Sequence, residues 1–264
     1  MTSAVSWDPA QYLRHADHRS RPFHDLVDRI ATVPQRVVDL GCGPGNTTAT
    51  LVDRWPGARI SGVDNSPAMI EKARQDHPAV AFELGDITGY DPAGDGGPDL
   101  VLSNAALQWV PGHSELFPRW TEALPAGGVL AFQVPGNFDE PTHTLLAALC
   151  GSPRWAAQLA GLARPAVLHP TEYLRRLTAL GCTVDAWEST YYQVLTGADP
   201  VLDWMLGTGL RPVLASLTDP AEREAFLTEY AAQLREAYPA TPYGTVLPYR
   251  RLFVIATRNE GEAR

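Results

Sequence analysis

The chain has 264 residues, 45% hydrophobic and 19% charged, which suits one large globular enzyme domain with a sizeable core. A net charge of −9 argues against nucleic acid as a partner, because neutralising phosphates needs a basic stripe. The 3 cysteines are far apart and form no Cys-x-x-Cys pair, which offers no zinc framework and fits a reducing cytoplasm, and no apolar run is long enough to span a bilayer.

Residues 1–30 read as an N-terminal helical arm. Trp7, Tyr12 and several basic positions precede any apolar run, so the segment does not read as a signal peptide. His15, His18 and His24 lie close together here, but neighbouring arginines disfavour a dication, and a solvated helix face is the expected reading. Arg19-Ser20-Arg21-Pro22 closes the arm.

Residues 31–135 read as a cofactor-binding core. An apolar strand, Arg36–Leu40, runs into Gly41-Cys42-Gly43-Pro44-Gly45 and then a helix opening with Asn46. A second strand, 59–63, ends in a lone acid, Asp64. Glycines let a nucleoside press against backbone, and a carboxylate at that strand end can grip both ribose hydroxyls. The spacing selects the cofactor. A dinucleotide site wants G-x-G-x-x-G with helix N–H groups aimed at pyrophosphate. Here the run is G-x-G-x-G preceded by Asp39, with Asn46 where the third glycine would stand. An acid beside the loop repels phosphate and attracts a cation, such as the sulfonium and amino group of S-adenosyl-L-methionine. The plain alternative is a strand–turn–helix that needs glycine only for tight packing.

Ser66 and Pro67 then start a helix carrying Met69, Ile70 and Ala73, and further strands are expected at 80–84, 99–103 and 128–134. Strands alternating with helices imply a parallel sheet covered on both faces, with ligand at the carboxyl ends of the strands. Asp39, Asp64, Asp86 and Asn104 all fall there. Asp64, with Asn65 and Met69 beyond it, is expected at the ribose, Asp86-Ile87 at the adenine ring, and Asn104, Ala105 and Trp109 toward the methyl group. This last segment lacks the Asn/Asp-Pro-Pro-Tyr pattern whose carbonyls accept amine hydrogens, which argues against methylation of base or glutamine nitrogens.

Later segments read as a helix over 141–161, another over 171–180, a long strand Cys182–Leu195, a helix led by Asp219-Pro220, and a last strand over 251–257. The fold expected is a single α/β domain over 1–264. It is Rossmann-like, with a seven-stranded mostly parallel sheet and helical lid segments at 141–168 and 199–238. Arg19, Arg211 and Arg251 lie near the edges of the expected site, with Tyr192 as a hydroxyl donor and Gln108 beside Trp109. Guanidinium forks converging on one pocket of an acidic protein would point to a polycarboxylate ligand, whereas surface solvation is the default for any one of them.

Trp7-Asp8-Pro9, Arg19-Ser20-Arg21-Pro22, the 39–48 loop, Asp64-Asn65-Ser66-Pro67, Leu107-Gln108-Trp109, Thr190-Tyr191-Tyr192 and Thr208-Gly209-Leu210-Arg211-Pro212 occur in this order. On these segments the chain resembles, nearly end to end, the trans-aconitate methyltransferases, a family of class I S-adenosylmethionine-dependent enzymes. The resemblance implies methyl transfer to a carboxylate of a small tricarboxylate by a cytoplasmic monomer or weak homo-oligomer, without metal. The implied cofactor contacts are Asp39, Gly41, Gly43, Asn46, Asp64, Asn65, Met69, Asp86, Ile87, Asn104, Ala105 and Trp109. The implied substrate contacts are Arg19, Gln108, Trp109, Tyr192, Arg211 and Arg251. A carboxylate with a pKa near about 4 is ionised at neutral pH and needs no general base. Alignment of oxygen, methyl carbon and sulfur is then the main task, worth roughly 7–11 kcal/mol. Two rival readings are a methyltransferase for another small molecule, which would need a base near the methyl group, and a non-catalytic module that retains the cofactor fold.

Overall fold

Strand β1 (Arg36–Leu40) lies in the interior of a sheet, with four of its five residues buried. The computed structural model describes residues 16–159, 161–162 and 167–260, without the side chains of 16–19 and 94–95. Trp7, Tyr12 and His15, the side chains of His18 and Arg19, and positions 160 and 163–166 of the first expected lid segment lie outside the described residues.

Helix α1 (Ala16–Val27) precedes β1. Then follow α2 (Asn46–Arg54), β2 (Arg59–Asp64), α3 (Pro67–Asp76), β3 (Ala81–Leu84), β4 (Leu100–Asn104), α4 (Phe117–Ala123) and β5 (Val129–Pro135). The second half holds α5 (Pro141–Cys150), α6 (Ala156–Leu159), α7 (Pro170–Ala179), β6 (Cys182–Leu195), α8 (Pro200–Leu206), α9 (Arg211–Ser216), α10 (Pro220–Ala237), β7 (Ala240–Thr241) and β8 (Gly244–Arg258). The sheet order is β3-β2-β1-β4-β5-β8-β6, and the two-residue β7 pairs with the start of β8 as an eighth strand. Pairing is parallel from β3 to β5, and β8 runs antiparallel between β5 and β6. Strand order reverses between β1 and β4, and the resulting crevice is where an open α/β sheet receives its ligand.

Two buried clusters cover the two faces of this sheet. One packs Phe23 and Leu26 of α1 and Leu51 of α2 on it, the other Phe117 and Trp120 of α4 and Tyr173 and Leu177 of α7. A third cluster joins Leu146, Trp155, Trp204, Met205, Phe226 and Tyr230 to Leu195, Leu247 and Tyr249 at the ends of β6 and β8. The helices expected as lid thus have a core of their own, built on a two-stranded platform.

Two sequence readings are corrected here. The last strand begins at Gly244, not 251, because only 251–257 pairs with β5, while 245–250 pairs with β6 and 244–245 with the short β7. In that ribbon Thr245, Leu247 and Tyr249 are buried and alternate with less buried residues, a pattern weaker than an all-apolar core strand. The helix expected over 141–161 stops at Cys150, where Gly151-Ser152-Pro153 interrupts it, and resumes only as the single turn of α6. At α10 the expected cap forms, with the Ala221 N–H donating to Asp219 Oδ1 at 2.8 Å. Among the described residues, no helix is long and apolar enough to cross a membrane, and all three cysteines are free and buried.

Candidate functional site

The glycine loop turns sharply because Gly41, Gly43 and Gly45 all adopt positive φ, at 82°, 55° and 78°. Their surroundings separate their roles. A Cβ on Gly41 would stand 2.2 Å from Ala106 Cβ, and one on Gly45 would stand 2.5 Å from the Phe82 ring. These two glycines are needed for packing. A Cβ on Gly43 would meet no protein atom within 4 Å and would enter a cavity of about 140 Å³ beside the loop. Gly43 is therefore the glycine that leaves room for something outside the protein.

That cavity lies at the carboxyl ends of β1, β2 and β4. Gly41 and Gly43 form one side, Asp64, Asn65 and Met69 a second, Asp86 and Ile87 a third, and Asn104, Ala105 and Trp109 the fourth. Pro44, Ala106 and Val110 also line it and were not singled out from sequence. Ala106 stands against Gly41, and that closeness is set by the fold and leaves no mark in the sequence. Ala105 holds φ 53°, the sole positive φ among described non-glycine residues. Such a conformation is costly and is tolerated where function requires it.

Asp64 orders the loop as well as facing the cavity. Its Oδ2 accepts the Gly43 N–H and its Oδ1 the Ser66 N–H, both at 2.9 Å. A carboxylate offers about four lone-pair sites, so two remain for vicinal hydroxyls. Burial raises its pKa, and the two backbone N–H groups counter that. Asp86 caps a short turn through Thr88 at 2.8 Å while lining the cavity, so the turn reading and the binding reading are compatible.

Asp39 lies beneath the loop and not on the cavity wall. It is 1% exposed, and Thr48 Oγ1 donates to its Oδ2 at 2.6 Å. Oδ1 is buried with no hydrogen-bond partner among the described residues. Burial pushes this carboxyl up to about 7; Thr48 lowers it and the Asp64 charge raises it. A cation arriving above the loop would favour the ionised form, so binding of an amino-acid ammonium group should release protons below about pH 7. The linkage to folding has a definite sign. A folded pKa above the ordinary 3.8 gives stability that is full below about pH 4 and is lost as pH rises through about 7. Asp39→Asn should therefore flatten the pH dependence of Tm over this window. It should also abolish proton release when S-adenosylhomocysteine binds, measured by calorimetry in buffers of different ionisation heat; unchanged release would remove Asp39 from this role.

Other expected residues fall elsewhere. Asn46 opens α2 but does not line the cavity; the helix begins after a left-handed Gly45, which turns it aside. Gln108 is buried, with its amide donating to the Ala105 carbonyl at 2.6 Å, and so braces the strained Ala105. Tyr192 is 72% exposed and lines no cavity described. Strand alternation puts its neighbour Tyr191 on the buried face instead, where the Tyr191 hydroxyl donates to Asp25 at 2.6 Å. Arg211 opens α9 between Gly209 and Pro212, which line a second cavity of about 230 Å³ with Phe138 and a half-buried His143. Burial holds His143 down at about 4, so it is neutral at physiological pH. Of the Arg250-Arg251 pair, Arg250 is engaged by Glu188 at 3.0 Å and by the Gly136 carbonyl at 2.8 Å, while Arg251 turns into the protein. No cluster of His, Cys, Asp or Glu fit for a metal occurs among the described residues.

Residues 37–128 match a family model described as a methyltransferase domain. Beyond that domain, the chain is 55% identical to a trans-aconitate 2-methyltransferase of Streptomyces coelicolor, over 98% of this chain and 89% of that protein. It is 54% identical to the corresponding protein of Streptomyces avermitilis (97% and 98% covered) and 49% identical to that of Rhodococcus jostii (95% and 98%). Among solved structures, the YcgJ protein of Bacillus subtilis superposes with a TM-score of 0.59 at 15% identity, covering 92% of this chain and all of that one. A phosphoethanolamine N-methyltransferase of Haemonchus contortus gives 0.53 at 14%, covering 91% and 53%. These two share the fold.

Proposed function

The chain belongs to the trans-aconitate 2-methyltransferase family, and from that premise we propose that it methylates one carboxylate of trans-aconitate, giving the monomethyl ester and S-adenosylhomocysteine. S-adenosylmethionine supplies the electrophilic sulfonium methyl. The cavity suits it: Gly43 leaves space where any side chain would intrude, Asp64 offers free lone pairs to ribose hydroxyls, and the orphaned Asp39 oxygen favours a cation above the loop. The observation that carries the acceptor assignment is the extent of the similarity. It covers 98% of the chain, and so includes the helices beyond residue 128 that the methyltransferase domain model leaves out.

The residues have a positioning task. The acceptor oxygen is already ionised at neutral pH, so no side chain has to remove a proton. Arginines hold the other carboxylates and leave the reacting one less neutralised. The helices α5 to α6 and α8 to α10 cover the strand ends and exclude water during transfer. The enzyme works in the cytoplasm as a monomer or weak homo-oligomer without nucleic acid, consistent with its −9 charge and buried free thiols.

Methyl transfer from labelled cofactor to a panel of di- and tricarboxylates tests this reading. Labelling of trans-aconitate as an ester is the expected result. Labelling of phenols or quinones in preference to acids, or cofactor binding without transfer to any acid, would overturn it. Arg211 supplies a sharper probe. Arg211→Lys keeps the charge but loses the planar fork, and kcat/KM for trans-aconitate should fall at least about tenfold with cofactor affinity unchanged. Undiminished kcat/KM would remove Arg211 from acid recognition.

A further inference from the structure

Arg251 is the only buried arginine among the described residues, at 5% exposed. Its guanidinium lies over the Tyr249 ring, 4.7 Å from the centroid, and Nη1 donates to Gln133 Oε1 at 3.3 Å. Among the described residues its buried Nε has no hydrogen-bond partner and no carboxylate forms an ion pair with it. Asp25, an acid on the neighbouring α1, is taken by the Tyr191 hydroxyl at 2.6 Å and by Arg21 at 4.0 Å. A buried cation without a counter-charge is unfavourable, and a ligand carboxylate would supply what is missing.

The residue beside it is a neutral amide. Gln133 is 1% exposed, and while Oε1 accepts from Arg251 its Nε2 donates to Asn104 Oδ1 at 2.5 Å. Asn104 lines the cofactor cavity. One amide thus connects the buried guanidinium to the cavity wall. Arg251 pairs with Pro135, the last residue of β5, so both groups stand at the carboxyl end of the sheet. A glutamate in place of Gln133 would have nearly the same shape and would neutralise the guanidinium.

We infer that Gln133 is a positioning residue: it holds Arg251 as an uncompensated cation for a non-reacting carboxylate of the acceptor and sets that cation at a fixed distance from the cofactor cavity through Asn104. The inference rests on the acid-methylating reading above and names the subsite within it. Arg251 supplies the charge, and Gln133 keeps that charge available.

The test titrates trans-aconitate into protein saturated with S-adenosylhomocysteine and compares wild type with Gln133→Glu and Gln133→Met, alongside KM, kcat and Tm. Gln133→Glu should close an ion pair with Arg251, so that acid affinity falls at least about tenfold through KM. Affinity for S-adenosylhomocysteine should stay within about threefold, and Tm should hold or rise as the buried cation gains a partner. Normal acid binding by Gln133→Glu would overturn the inference while leaving the methylation reading intact. Equal loss of both ligands with a lowered Tm would also overturn it, because that is the signature of a merely structural residue. A wild type that binds the acid and shows the selective Gln133→Glu loss, yet transfers no methyl, would support the subsite and sink the methylation reading. If Gln133→Glu does not fold, Gln133→Met decides. It retains the volume but frees the guanidinium, so acid affinity should drop while Arg251 stays charged, and unchanged affinity would overturn the proposal.

Discussion

Gly43→Val should abolish binding of S-adenosylhomocysteine while leaving the protein folded. A Cβ at this position has no protein atom within 4 Å and projects into the cavity at the carboxyl end of β1. Its φ of 55° adds backbone strain for a β-branched residue, so a modest fall in Tm is expected too. Calorimetry should show no saturation at concentrations about a hundredfold above the wild-type Kd, a loss of at least about 2.7 kcal/mol. Gly45→Ala makes the contrast. Its Cβ would lie 2.5 Å from the Phe82 ring, so it should lower stability by about 1–3 kcal/mol, with cofactor affinity changing only as packing is disturbed. Retained binding by a folded Gly43→Val protein would show that the nucleoside does not cross the loop there.

Asp64→Ala should weaken S-adenosylhomocysteine by about 1.5–3 kcal/mol, or roughly ten- to 150-fold, the range for a charge-assisted hydrogen bond. Two causes combine in that loss. The ribose hydroxyls lose their acceptor, and the Gly43 and Ser66 N–H groups lose the oxygens that hold them at 2.9 Å, so the glycine loop is less ordered before binding. Asp64→Asn separates the causes. Its single amide oxygen can serve one of those N–H groups but supplies no charge, so loop order is partly kept while ribose recognition is lost. Unchanged affinity in a folded Asp64→Ala protein would take Asp64 out of ribose recognition.

What the sequence determined by itself is local. Three glycines at alternate positions after an apolar strand let a ligand press against the backbone, and a lone acid ends the next strand. Neither inference needs any distant residue. Gly41, Gly43, Asp64, Asn65, Met69, Asp86, Ile87, Asn104, Ala105 and Trp109 line one cavity at those strand ends. Alternating strands and helices likewise made the parallel sheet legible through β5, because period and burial are both written along the chain. Only the tertiary structure decided the rest. Whether Tyr191 or Tyr192 faces inward depends on the register between β6 and β8, and a shift of one residue exchanges them. The identical residues Arg250 and Arg251 differ for the same reason: one reaches Glu188, the other enters the core. Gln133 carries no signal in a strand of apolar neighbours until pairing with β4 and β8 sets it between Asn104 and Arg251. The separate core of the helical half arises because residues from 146 to 249 converge on the free end of a two-stranded ribbon. Contacts at that sequence separation leave no periodic trace in either segment alone.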